Sequence, residues 1–154
     1  MKHRQWIAIS GFLWLAIGTF LLYKGIFYMT EAAESTASFC FKHQDRFGGP
    51  QEAATAIIAA ALFVGYLKGR FVLSKTVKRV VDGIARLSLP IHFYQVYSKK
   101  YLLLIGSMIA LGVLLKFLPI FVEVRGFVDV AVGTALIQGS LHYFKSAKAL
   151  KVYL

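Results

Sequence analysis

Long apolar runs separated by polar and charged segments dominate this chain. Four runs have the length and composition of transmembrane helices, and they cover residues 6–27, 53–67, 101–122 and 127–144. A helix needs about 20 predominantly apolar residues to cross the hydrocarbon core of a bilayer, and the length varies with tilt. We therefore predict an all-α integral membrane protein in which residues 1–154 form one membrane domain, a four-helix bundle of transmembrane helices.

The connections between these runs alternate in charge. The connection 68–100 holds eight basic residues and one acid, whereas the connection 28–52 holds four acids and two basic residues. Basic residues are retained on the cytoplasmic side under the positive-inside rule. We therefore expect the segment 68–100 and both termini in the cytoplasm, and the loop 28–52 outside. The chain is compact and follows the positive-inside rule strongly, which suggests the bacterial inner membrane.

A helical periodicity within the basic connection predicts an amphipathic cytoplasmic helix over 72–88. Apolar residues recur on one face of this segment and charged residues fill the other. Such a helix would lie on the inner headgroups with its apolar face toward the lipid. The expected partners are membrane lipids with anionic headgroups. The candidate headgroup-binding residues are Arg70, Lys75, Lys78, Arg79 and Arg86.

The composition indicates lipid rather than water as the solvent. The chain is 58% hydrophobic, so a soluble domain of this size would expose large apolar patches. The net charge of +11 would suit nucleic acid, but the basic residues flank apolar runs, where lipid headgroups are the nearer partner. We expect no nucleic-acid binding. A cleaved signal peptide is the rival interpretation of the first run, which is too long and has only a vague cleavage signal.

Small residues predict close packing in the second run, and a weak repeat suggests two related hairpins. Ala61, Gly65 and Gly69 lie four apart on one helical face, a spacing that lets helix backbones approach closely in lipid. Residues 61–65 resemble residues 135–139, and a weaker likeness links the first and third runs. A true duplication would give two hairpins of the same orientation, a plan known among transporters. Chance similarity between apolar helices explains the likeness equally well.

Polar residues in and near the fourth run define two candidate sites. Thr134, Gln138 and His142 form a polar stripe that either lines a pathway or hydrogen-bonds to neighbouring helices. Charged residues near the outer side form either a vestibule for an ion or polar substrate, or an ion-pair cluster that fixes the helices. This outer charged cluster comprises Lys116, Glu123, Arg125 and Asp129, and Lys24 is a further candidate member.

The sequence contains no catalytic motif or metal-ligand spacing that we recognise. The lone cysteine, Cys40, excludes an internal disulfide. We therefore expect neither an enzyme nor a bound cofactor or metal. The leading hypothesis is a small transport or channel-type subunit that acts as a homo-oligomer or with a partner membrane subunit. The alternative is a non-transporting accessory or assembly protein, or one that engages lipid through its basic helix.

Overall fold

The computed structural model describes residues 3–35, 39–42, 46, 48–86, 106, 110, 113–114, 117 and 121–149. These residues are helical apart from short turns, and no strand occurs among them, so the described part of the chain is all-α as predicted. The helices are α1 (His3–Glu34), α2 (Phe39–Lys42), α3 (Pro50–Lys68), α4 (Ser74–Ala85) and α5 (Val122–Ala149), and a π-helical segment, Gly69–Leu73, joins α3 to α4.

Two helices are long and apolar enough to cross a membrane. They are α1 and the continuous helix Pro50–Ala85. Only 28% and 17% of their most apolar windows is buried, whereas the core helix of a soluble protein would be mostly buried. Phe12, Phe20 and Phe63 are each 64% exposed along these helices. The described residues thus support a membrane protein with two such helices, and they do not establish the predicted four.

The third predicted span, 101–122, lies largely outside the described residues. Five residues of its interior are described, and each is helical and exposed: Gly106, Ala110, Val113, Leu114 and Phe117. Their spacing places them on one face of a helix. That face is therefore apolar and uncovered.

Helices α1 and α5 pack antiparallel through small residues spaced seven apart. A Cβ atom added to Gly18 would lie 2.9 Å from the carbonyl oxygen of Gly133, and one added to Gly25 would lie 2.9 Å from that of Gly126. The two backbones are therefore in direct contact, and a seven-residue spacing sustains such a contact along both helices. The buried small residues of this seam are Gly11, Gly18, Gly25 and Ala32 on α1, and Gly126, Gly133, Ser140 and Ala147 on α5.

Helix α3 packs parallel to α5 through the small-residue face that the sequence predicts. A Cβ atom added to Gly65 would lie 2.8 Å from Cβ of Thr134, and one added to Gly69 would lie 2.7 Å from Cβ of Gln138. The contacts follow the same order along both chains, so the helices run in one direction. Ala61 is also fully buried, which confirms the predicted face. Helix α5 contacts both α1 and α3, and it is the most buried of the three although it carries the most polar residues.

The predicted amphipathic helix continues α3 instead of lying on the headgroups. Across the eight residues from Gly69 to Val77, an α-helix would turn the two side chains about 80° apart. The π-helical segment, whose i→i+5 hydrogen bonds widen the turn, returns Val77 to the face of Gly69. Val77 and Ile84 are 0% and 1% exposed, and they belong to one core with Ile7 and Tyr143. The expectation of a lipid-facing apolar face is therefore wrong, because α1 and α5 cover it.

Candidate functional site

One end of the bundle gathers exposed basic side chains. Because the apolar face of α4 packs against α1 and α5, its charged face points away from the bundle. The same core holds Ile7 and Ala147, near the ends of α1 and α5. All three helices therefore contribute to a surface that we call the basic surface. It comprises Arg4, Lys75, Lys78, Arg79, Arg86, Lys145 and Lys148, all of them exposed.

Arg70, the fifth predicted headgroup-binding residue, lies apart from the basic surface. It belongs to the π-helical segment, beside Gly69, which faces Ala135 and Gln138 near the middle of α5. Nη1 of Arg70 donates a hydrogen bond to the hydroxyl oxygen of Tyr66, at 3.1 Å, and both side chains are exposed. The guanidinium and the phenol are thus held together on one face of the helix, as residues four apart can be.

A salt bridge joins α1 to α5 near the opposite end. Nζ of Lys24 lies 3.1 Å from Oδ2 of Asp129, and the two side chains are 37% and 11% exposed. Nζ of Lys24 also lies 5.3 Å from the centre of the Tyr28 ring, within the range of a cation–π interaction. The sequence analysis groups Asp129 with Lys116 and Arg125 in the outer charged cluster and counts Lys24 only as a further candidate. The partner seen in the described residues comes from α1, and Lys116 lies outside those residues.

Glu123 lies at the start of α5 and meets the short helix α2. Its Oε1 accepts a hydrogen bond from the backbone N–H of Cys40 at 3.4 Å, and the residue is 4% exposed. Cys40 packs against Ala53 and Ala54 of α3. Burial, and then the negative charge of Glu123, raise the pKa of the Cys40 thiol, so the thiol is a weaker nucleophile at neutral pH.

The predicted outer charged cluster is therefore divided between different contacts. Glu123 contacts α2 and Asp129 contacts α1. Arg125 lies between them on α5 and is half-buried. An apolar groove of about 270 Å³ lies beside Glu123. Its lining residues are Ile57, Phe121, Glu123, Val124 and Phe127. The described residues contain no group of three or more His, Cys, Asp or Glu side chains arranged to hold a metal ion.

The polar stripe of α5 lies against α3. The hydroxyl of Thr134 donates a hydrogen bond to the carbonyl oxygen of Val130 at 2.8 Å. Thr134 and Gln138 face the two glycines Gly65 and Gly69, where the helix backbones come closest. Both side chains, and His142 beyond them, are half-buried. These contacts favour the packing alternative for Thr134 and Gln138, and the pathway stays a prediction.

Two features that organise the bundle were not predicted from the sequence. The seam of small residues between α1 and α5 has a visible signal, the seven-residue spacing from Gly11 to Gly25 and from Gly126 to Gly133. The pairing of Lys24 with Asp129 has no local signal, because it depends on which helices are neighbours.

Comparisons of the chain with protein-family models, with curated proteins and with solved structures give no match.

Proposed function

We propose that this chain is a four-span membrane protein. Because α3 and α5 are parallel, the end of α4 and the start of α5 lie at opposite ends of the bundle. The chain between them therefore has to connect two levels, those of Ala147 and Val122, that are about 38 Å apart. The apolar run 101–122, about 33 Å long as a helix, matches most of that distance. The exposed apolar residues at 113, 114 and 117 also support a span in contact with lipid.

The orientation follows from charge. The basic surface lies at one end of the bundle, whereas Glu31, Glu34, Glu52 and Glu123 lie toward the other. The positive-inside rule places the basic surface and both termini in the cytoplasm. We propose the bacterial inner membrane as its location, because the chain is compact and follows the positive-inside rule strongly.

The function that this geometry supports best is that of a non-transporting accessory protein that engages anionic lipid headgroups at the cytoplasmic face. The observation that carries it is the packing of α4. Its apolar face packs on Ile7 and Tyr143, which leaves Lys75, Lys78 and Arg79 exposed. A flat surface helix would hold the membrane by its apolar face, whereas the exposed charges of this helix are three basic residues and one acid, Asp82. Each basic residue near an anionic membrane surface contributes about 1 kcal/mol of attraction.

The test compares two double variants that lose the same charge. Lys75→Gln/Arg79→Gln changes the basic surface, and Lys42→Gln/Arg46→Gln changes exposed residues of the opposite loop. Each protein is placed in nanodiscs of phosphatidylglycerol and phosphatidylcholine, and native mass spectrometry gives the ratio of the two lipids that it retains. We expect enrichment of phosphatidylglycerol to fall at least threefold in the first variant only. Equal enrichment in both would contradict the proposal.

Transport remains the second candidate, and one observation favours it. The most polar of the long helices is the central one, and it holds a buried carboxylate, Asp129, in an ion pair with Lys24. Ionisable groups within membrane helices often mark ion or substrate pathways. In this hypothesis Thr134, Gln138 and His142 line the path, and the chain self-associates or joins a partner subunit to enclose it.

Flux measurements decide between the two candidates. Proton and potassium movement into proteoliposomes is followed with fluorescent dyes for the unchanged protein, for Gln138→Leu and for the control Ile137→Leu. Transport of these ions predicts flux above that of empty liposomes, abolished by Gln138→Leu and retained by the control. Flux equal to empty liposomes, or flux that Gln138→Leu leaves unchanged, would count against this pathway.

A further inference from the structure

We propose that Tyr66 and Arg70 form a binding site for the phosphate group of one anionic phospholipid, beside the π-helical segment. This inference rests on the proposed function and sharpens it, because it replaces a general attraction to the membrane surface with one defined headgroup position.

Exposed apolar side chains lie near Arg70 on the same helix. Phe63 and Phe71, exposed by 64% and 62%, lie before and after it on the same helix. Gly69 packs against Gln138, so Arg70 lies at the level of the middle of α5, five residues before Lys75, the nearest member of the basic surface. A cation amid a lipid-facing apolar surface is costly unless water, local thinning of the bilayer or an anion reaches it. A phospholipid headgroup drawn toward Arg70 supplies that anion.

The hydrogen-bonding capacity of the pair also supports a phosphate site. The bond to Tyr66 uses one N–H group of Arg70, whereas a guanidinium has five. The remaining donors form a planar fork that fits two phosphate oxygens. The Tyr66 hydroxyl accepts from Arg70 and keeps its own hydrogen to donate to a third phosphate oxygen. Within the described part of the chain, Lys24 and Asp129 form a salt bridge. No carboxylate in that part of the chain is paired with Arg70.

Lys68 provides the matched control. It lies at nearly the same level as Arg70 and is also exposed. Two residues along the helix correspond to roughly half a turn, so Lys68 projects to a different side of the helix from Arg70. Replacement of either cation by glutamine removes the same charge at the same depth. Only the replacement of Arg70 removes the guanidinium–phenol pair.

The test titrates the full-length protein, purified in detergent, with phosphatidylglycerol and counts bound lipids by native mass spectrometry. We expect one lipid to bind more tightly than the rest. Arg70→Gln should weaken it at least tenfold, and Tyr66→Phe about three- to tenfold, the range for loss of one hydrogen bond. Arg70→Lys, which keeps the charge without the fork, should fall between Arg70→Gln and the unchanged protein. Lys68→Gln should change binding less than twofold.

Two further probes identify the source of the phosphate. Diacylglycerol with the same acyl chains lacks the phosphate and should not occupy the tight site. Inorganic phosphate should not displace the lipid at equal concentration, since a phospholipid also gains the contact of its acyl chains with the apolar surface. Binding of diacylglycerol, displacement by phosphate alone, or equal losses in Arg70→Gln and Lys68→Gln would each overturn the proposal.

The outcome is separable from that of the proposed function. If Arg70→Gln leaves the tight lipid in place while Lys75→Gln/Arg79→Gln abolishes enrichment, the site is refuted and the function stands. If Arg70→Gln removes the tight lipid while the double variant has no effect, the lipid site at Tyr66 and Arg70 is supported and the proposed role of the basic surface is refuted.

Discussion

Replacement of Gly133 by alanine should increase the distance between α1 and α5 and destabilise their contact. The added Cβ would lie 2.6 Å from the backbone nitrogen of Leu22 and 2.7 Å from the carbonyl oxygen of Gly18. Ordinary van der Waals contact begins at 3.4 Å, so the helices would have to separate by nearly 1 Å. Both obstructing atoms belong to the backbone, and no side-chain rotation relieves the clash.

The size of the effect follows from two opposing terms. Overpacking of a tight interface costs about 1–3 kcal/mol, and alanine offsets about 0.5–1 kcal/mol of that as the better helix former. We expect a net loss of about 1–2 kcal/mol in the free energy of unfolding. Gly83→Ala is the matched control: Gly83 lies on α4 with nothing within 4 Å of an added Cβ. It should gain about 0.5–1 kcal/mol.

Unfolding by sodium dodecyl sulfate in mixed micelles measures both variants. The signal is tryptophan fluorescence, because Trp14 lies in the α1–α5 interface against Tyr143, with ring centres 5.5 Å apart. If Gly133→Ala were as stable as the unchanged protein, or if Gly83→Ala were equally destabilised, the direct backbone contact between α1 and α5 would be refuted.

Three further predictions test other contacts. Val77→Ala should lower the free energy of unfolding by about 2 kcal/mol, since it leaves a cavity in the core. Val72→Ala, at a side chain that is 59% exposed, should have little effect. Equal losses in the two variants would indicate that the apolar face of α4 lies in lipid. A double-mutant cycle with Lys24→Met and Asp129→Asn should give a coupling of about 1 kcal/mol, and zero coupling would refute the salt bridge. Cys40 is fully buried and the pKa of its thiol is raised, so maleimide labelling should be slow at neutral pH and accelerate as the pH rises. Glu123→Gln removes one cause of the raised pKa and should label faster at equal pH, while a rate independent of pH would contradict the shift.

The sequence predicts those features that depend on one helix at a time. The apolar length of residues 6–27 predicts α1, and the four-residue spacing of Ala61, Gly65 and Gly69 predicts the face that α5 covers. Both are local patterns whose consequence does not depend on the neighbour. The separation of charge along the chain likewise predicts which residues collect at the basic end.

Features that depend on pairs of helices could not be predicted in the same way. Amphipathicity showed which face of the segment 72–88 is apolar, but lipid and protein cover such a face equally well. The π-helical segment keeps Gly69 and Val77 on one face of the helix. This matters only because α5 packs against both residues, which the sequence of this segment does not reveal. Asp129 pairs with Lys24 because the antiparallel seam aligns their levels, which no spacing within α5 reveals.

The most direct test of the central claim is the side of the membrane on which Arg86 and Phe121 lie. Single cysteines at these exposed positions, in a Cys40→Ala background, are labelled with a membrane-impermeant maleimide in intact bacterial spheroplasts, and Ser35 and Ala149 serve as references for the two faces. We expect labelling of Phe121→Cys and Ser35→Cys from outside, and labelling of Arg86→Cys and Ala149→Cys only after permeabilisation. Labelling of positions 86 and 121 from the same side would contradict the four-span topology.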